Sequence, residues 1–247
     1  MNASIIGQFM FEAFGLSDPG CVRANNEDYF ISDTKAGIFI VADGMGGAKG
    51  GERASQISAE RLYSYLLSTR DADDPDTLKQ GFRQANWAVL DAAKDDPELE
   101  GMGTTLVAAH AIDDGSMQIC SVGDSRAYLA SGNQVSVITR DQTWVAEVGA
   151  KLGLSDESLK RHPMRHVLTM AVGCADELRI HSHLVALRGG DQILLCSDGL
   201  HGVIEEEILA ETLLSQKSLE GKCHYLVEAA KGKGGPDNIT VVLIRAV

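Results

Sequence analysis

No CxxC pair occurs in this 247-residue sequence, and its five cysteines (Cys21, Cys120, Cys174, Cys196 and Cys223) are odd in number and widely spaced. That argues against a disulfide framework and points to reduced, mostly buried thiols in a cytoplasmic protein. Positive charge is also scarce: 22 Lys and Arg stand against 35 Asp and Glu, a net charge of -13. Such a surface repels nucleic acid and anionic membranes, so neither is expected as a partner. No block of like charge is long enough for an interaction tail. The nearest, "DADDPD" at Asp71 to Asp76, reads as a loop and helix start. The opening "MNASIIGQFMFEAFG" has no basic region and only short apolar runs, unlike a signal peptide. No apolar run approaches the roughly 20 residues of a membrane span. Five prolines are thinly spread, and there is no internal repeat or Pro/Ser-rich linker. One domain over residues 1–247 is the simplest organisation, long enough to bury a sizeable core.

Strand-like runs are frequent. Ile38 to Ala42, Thr104 to Ile112, Ser116 to Asp124 and Ser125 to Ala130 are four of them, with "NQVSVIT", "LRIHSHLVAL", "DQILLCSD" and "DNITVVLIRAV" following. Asp113, Asp114 and Gly115 give a hairpin signal. Strands joined by turns this short are expected to be antiparallel. Two stretches carry helical periodicity. Ala59, Leu62, Tyr63 and Leu66 form a stripe within Glu52 to Leu67, and Leu78, Phe82, Ala85 and Val89 form another within Thr77 to Ala93. A second helix pair fits Glu205 to Leu214 and Leu219 to Ala230. Helix pairs set between strand meanders indicate an α+β protein of layered sheets covered by helices. Glu147 to Arg165 fits neither pattern and reads as a surface insertion.

Three apolar strands end in Asp followed by a small residue: "FIVADG" at Asp43, "ICSVGDS" at Asp124 and "ILLCSDG" at Asp198. "GGPDNITVVLI" places Asp237 at a strand start, and "RANNEDYF" places Glu27 and Asp28 before another apolar run. One Asp at a strand end is usually a turn residue. Several together are harder to explain, because clustered carboxylates repel and are costly to desolvate without a cation. With no His/Cys set at metal spacing, oxygen ligands suit Mg²⁺ or Mn²⁺. A two-metal site would hold its ions ~3.5–4 Å apart and activate a bridging water. Gly44 would let its own carbonyl approach an ion. Arg23, four residues before Glu27, suits bidentate capture of phosphate. The seven histidines read as structural or surface residues: Pro163 separates His162 from His166, and His181 and His183 lack a third ligand. "GMGGAKGGE" fits neither GxGxxG nor Walker A.

The segments "SDPGCVRANNEDYF", "VADGMGGAKGGERAS", "GMGTTLVAA", "VGDSRAYL", "LTMAVG", "LLCSDGL" and "GPDNITVVLI" stand in the order seen in metal-dependent Ser/Thr protein phosphatases of the type 2C family. The chain resembles the compact bacterial members from about Ser17 to Ile244. The resemblance implies an α-β-β-α layered sandwich, two antiparallel sheets flanked by helix pairs, with a small flap at about residues 147–165. It implies a cytoplasmic, monomeric enzyme that hydrolyses phosphoserine and phosphothreonine in proteins and opposes a Ser/Thr kinase. Two Mn²⁺ or Mg²⁺ ions are implied, with metal-activated water attacking phosphorus in line and no phosphoenzyme. By motif, Asp43 bridges both ions, the Gly44 carbonyl binds one, and Asp198 and Asp237 complete the second site. Glu27 and Asp28 hold water at the metals, Arg23 grips the phosphate, and a third metal would use Asp124 with Asp198.

The chain departs from the family pattern in places. Met45 stands where members with DGHGG or DGHAG carry a His proposed as general acid, and Ala48 where many bacterial relatives carry one. The leaving-group proton must then come from water or another group. Met170 replaces a usual Arg. Two other readings remain open at this level. A pseudophosphatase that binds a phosphoprotein without turnover would be expected to lose a metal carboxylate. A hydrolase of small phosphate esters would be separated by its relative rates on metabolites and phosphopeptides.

Overall fold

The computed structural model describes residues 11–46, 50–69, 74, 76–113, 115–153, 155, 158, 159 and 162–247. Among them, eleven strands form two sheets in which every recorded pairing is antiparallel. The first sheet has the order β1 (Phe11–Asp18), β11 (Ile239–Ala246), β10 (Gln192–Cys196), β7 (Arg126–Ser131) and β8 (Gln134–Val137). The second runs β2 (Asp28–Asp33), β3 (Ile38–Met45), β5 (Leu106–Asp113), β6 (Ser116–Val122) and β9 (His181–Ala186). The short β4 (Gly103–Thr104) pairs with the end of β3.

Period-two side-chain alternation explains why the central strands read as unbroken apolar runs. Ile38, Ile40 and Ala42 face α1 (Gly50–Ser68) and α2 (Thr77–Asp95), while Phe39 and Val41 face the other sheet. In β11, Ile239, Val241 and Leu243 face α3 (Glu206–Leu214) and α4 (Leu219–Gly232), whereas Val242 and Ile244 point between the sheets. Three apolar layers result, one between the sheets and one beneath each helix pair. This is the α-β-β-α sandwich expected from the sequence. The helices start and stop within about two residues of the periodic stripes: Leu62 and Leu66 of α1 meet Leu78, Phe82, Ala85 and Val89 of α2 in one cluster.

One sequence-level expectation needs correcting. The short link between β6 and β7 is not a hairpin: β6 lies in the second sheet and β7 in the first. Gly123 adopts φ +95°, outside the range of most side chains. Its N–H donates to Gln142 Oε1 at 2.8 Å. Held in this way, the link turns out of its sheet and crosses to the other, leaving Asp124 at the seam.

The stretch expected to be an insertion contains single helical turns at Val145–Gly149 and Ala150–Leu152. Trp144 stacks on His162 with ring centroids 4.6 Å apart, and Arg179 donates to both oxygens of Glu147 at 2.8 and 3.1 Å. Among the described residues, no helix is long and apolar enough to cross a membrane.

Phe82 is fully buried under α1 and the second sheet. Phe82→Ala is expected to cost about 3–5 kcal/mol of unfolding free energy in urea titrations, because lost burial and a residual cavity add.

Candidate metal centre and phosphate pocket

Antiparallel pairing gathers the acidic residues at one end of the sandwich. Asp28 opens β2 and lies opposite Asp43 near the end of β3. Cys196 at the end of β10 lies opposite Val241 near the start of β11 and opposite Arg126 at the start of β7. Asp198, Asp237 and Asp124 flank those three strand ends. A cavity of about 740 Å³ opens there, lined by Arg23, Glu27, Asp43, Gly44, Asp124, Asp198 and Asp237 among others. Seven of the eight residues singled out in the sequence therefore share one cavity. The eighth, Asp28, is buried beside them.

Backbone and side-chain hydrogen bonds fix several of them. The Asp43 carbonyl accepts from Thr105 N and Thr104 Oγ1, both at 2.8 Å, and Asp43 N donates to Thr105 Oγ1 at 3.1 Å. Gly44 N donates to the Glu27 carbonyl at 3.2 Å. A Cβ on Gly44 would overlap the Gly51 carbonyl oxygen and lie 2.6 Å from that of Glu27. Close backbone packing therefore demands glycine here, in addition to any approach of its carbonyl to an ion. Asn238 laces the Pro19–Glu27 loop: its side chain donates to the carbonyls of Pro19 and Asn25 at 3.0 and 2.9 Å and accepts from Glu27 N at 2.8 Å. Arg23, on that loop, donates from Nη2 to Asp237 Oδ2 at 2.8 Å with both side chains partly exposed. Ser197 Oγ donates to Asp28 Oδ2 at 2.8 Å and accepts from Thr240 N at 3.0 Å.

The electrostatics are those of a site with too much negative charge. Burial, then the charges of Asp28, Asp198, Asp124 and Asp237, push the Asp43 carboxyl well above its ordinary range. Burial pushes Asp28 up to about 7, against the hydrogen bonds that hold it. Burial followed by the charge of Asp198 pushes Asp124 up to about 8. Burial also raises Glu27, opposed by Arg23. Asp198 moves the other way: burial is the largest single influence and would raise it, but His166, His201 and a hydrogen bond with Asp43 together hold it low. His166 Nδ1 lies 3.7 Å from Asp198 Oδ2.

The donors fit divalent cations. Asp28 Oδ1 is buried without a hydrogen-bond partner, and among the described residues the basic side chains that line the cavity with the carboxylates are Arg23, Arg165 and His166. Among the described residues, no three His, Cys, Asp or Glu side chains form a ready-made cage. Mg²⁺ keeps several waters and is usually bound through one or two carboxylates.

Some contributors escaped the sequence reading. His166, read there as structural or surface, lines the cavity beside Asp198. His201, partly buried, is held neutral with its pKa lowered to about 4, and its Nε2 lies 2.9 Å from the Asp124 carbonyl, to which it donates. The roles of Asn238 and Ser197 rest on partners 211 and 169 residues away, with no local signal. Met45 lines the cavity, as its place in the motif suggests; Ala48 lies outside the described residues.

Two facing antiparallel sheets, with a carboxylate cluster at their common end and an arginine at its rim, define a metal-dependent phosphatase. The family model described as protein phosphatase 2C matches residues 22–231. The serine/threonine phosphatase stp of Listeria innocua is 34% identical over 235 residues, which cover 92% of this chain and 93% of the relative. A crystal structure of the Mycobacterium tuberculosis serine/threonine phosphatase PstP/Ppp superposes with TM-score 0.88 at 34% identity, covering 96% of this chain and 98% of that one. A PstP catalytic domain in complex with 2 manganese ions gives TM-score 0.86 at 33% identity, covering 96% and 98% of the two chains. The chain belongs to the protein phosphatase 2C family, and it is a metal-dependent serine/threonine protein phosphatase.

The raised carboxyls predict an inverted pH dependence for the metal-free protein. Asp28 and Asp124 keep protons when folded at pH values where the unfolded chain, with Asp near 3.9, has lost them. Stability is then fully present at low pH and is lost as pH rises through the folded values of about 7 and 8. In chelator, unfolding free energy should fall by on the order of 2 kcal/mol between about pH 6.5 and 8, with unfolded histidines, which titrate near 6.5, offsetting a small part of the fall at the lower end. Asp124→Asn should flatten that slope, and excess Mn²⁺ should offset it. Denaturant titrations across that window are the check, and a flat or rising wild-type profile contradicts the account.

Proposed function

We propose that this phosphatase uses two Mn²⁺ or Mg²⁺ ions held by Asp43, the Gly44 carbonyl, Asp198 and Asp237, with Asp124 and Asp198 available to a third. When bound, the ions supply Lewis acidity and a nucleophilic water near neutral pH. The chain's own residues do the rest. Arg23 exchanges its partly exposed contact with Asp237 for the phosphate oxygens, for which a planar guanidinium is suited. Asp28, fixed by Ser197, and Glu27, whose backbone N–H is fixed by Asn238, accept hydrogen bonds from water and orient it. Met45 offers no proton, so the departing serine or threonine oxygen takes one from solvent. The substrates are phosphoserine and phosphothreonine proteins, and the enzyme opposes a Ser/Thr kinase. A monomeric, cytoplasmic protein with a flap at residues 147–165 completes this reading.

The observation that carries it is the convergence of Arg23 and six acidic residues on and beneath one cavity. Nothing there favours a binding module, for which a missing carboxylate would be the sign. The test is Mn²⁺-dependent hydrolysis of a phosphothreonine peptide. Asp43→Asn and Asp198→Asn should each lower activity by at least about a hundredfold. Arg23→Ala should raise KM by about tenfold or more, the worth of a charge-assisted hydrogen bond. Wild-type rates in both Asn variants would sink the assignment.

A further inference from the structure

A second cavity, of about 640 Å³, lies beyond the carboxylate cluster, where β7, β8 and β9 meet Val145–Leu152. Its charge is unlike that of the chain as a whole. Four cations line it, Arg126, Arg140, Lys151 and Arg179, against three acids, Asp141, Glu147 and Glu206. Two of the acids are already committed. Arg126 donates to both oxygens of Asp141, at 2.9 and 2.7 Å, and Arg179 donates to both oxygens of Glu147. Among the described residues, Arg140 and Lys151 form no ion pair, and both are exposed. Two unpaired cations thus face one unpaired acid in a protein of net charge -13. Val137, 44% exposed, lines the same cavity and gives it an apolar wall.

This basic cavity is connected to the catalytic one. An intervening hollow shares Arg126, Asp141 and Glu206 with it, and shares Arg165, His166 and Asp198 with the phosphate pocket. These shared residues join the three cavities in sequence, with the Glu147–Arg179 pair lining the basic one. A polypeptide whose phosphoresidue sits at Arg23 can follow this row in extended form.

We propose that the Arg140/Lys151 cavity is a docking subsite for an anionic group on the substrate polypeptide, a carboxylate or a second phosphate some residues from the one being removed. This rests on the reading of the Asp43 site as the catalytic centre. The subsite acts on encounter and binding, so its effect falls on KM and fades with salt. A p-nitrophenyl ester is too small to reach it.

The test uses phosphothreonine peptides with neutral, glutamate-rich or phosphonate-bearing flanks, and p-nitrophenyl phosphate. The full-length wild type is compared with the Arg140→Glu/Lys151→Glu and Arg140→Gln/Lys151→Gln double variants, whose folding is checked by thermal melting. The wild type should prefer at least one anionic flank by about five- to tenfold in kcat/KM, as two partly exposed ion pairs allow, through KM and less at high salt. A preference for glutamate alone identifies a carboxylate pocket; one for phosphonate alone identifies a phosphate pocket. Both double variants should lose the preference while rates on the neutral peptide and p-nitrophenyl phosphate stay within about twofold. No preference in the wild type, or one retained in both variants, overturns the subsite. Loss of activity on every substrate in the wild type overturns the catalytic reading instead.

Discussion

Mutual repulsion among carboxylates at the seam of two sheets is the constraint on which the rest of this structure depends. Asp28, Asp43, Asp124 and Asp198 are brought together, with Arg23, Arg165 and His166 as the basic side chains that line the cavity among the described residues, and Asp28 keeps one buried oxygen unpartnered. A fold selected for stability alone would not gather them, since each uncompensated buried charge costs several kcal/mol. The apolar layers on both faces of β3, β10 and β11 supply the rigidity that holds these strand ends in place despite the repulsion.

The same arrangement explains where precision is concentrated. The backbone around Asp43 is bonded to both Thr104 and Thr105, and Thr105 Oγ1 lies 2.7 Å from Ser125 Oγ, next to Asp124. Ser197 ties β11 to Asp28, and Asn238 ties the β11 entry to the loop carrying Arg23 and Glu27. These are neutral hydrogen bonds between segments far apart in sequence. They fix charged groups without adding charge, which a crowded acidic site requires. Charge is instead paired at the periphery, in Arg126–Asp141 and Arg179–Glu147.

Much of this was legible in the residues. Strands buried on both faces read as unbroken apolar runs, and an Asp ending such a run stands out because Asp is disfavoured there. The helix stripes at Leu62 and Phe82 carried their periodicity openly. The link at Gly123 to Ser125 was misleading, because local turn chemistry does not say whether the next strand returns to the same sheet or crosses to the other. Asn238, Ser197 and His166 were illegible for a related reason: their partners are set by tertiary packing. The sequence marks Gly44 for its carbonyl, while its contact with Gly51 exists only once the helix α1 is in place.

The central claim is that this acidic cluster is completed by divalent cations, with bound protons as the occupants they replace. Calorimetric titration of the chelator-treated protein with Mn²⁺ near pH 7, in buffers of different ionisation enthalpy, tests it most directly. The account predicts at least two ions per chain, net proton release on binding, and loss of at least one ion in Asp43→Asn. Absence of binding, or an unchanged stoichiometry in that variant, would contradict it.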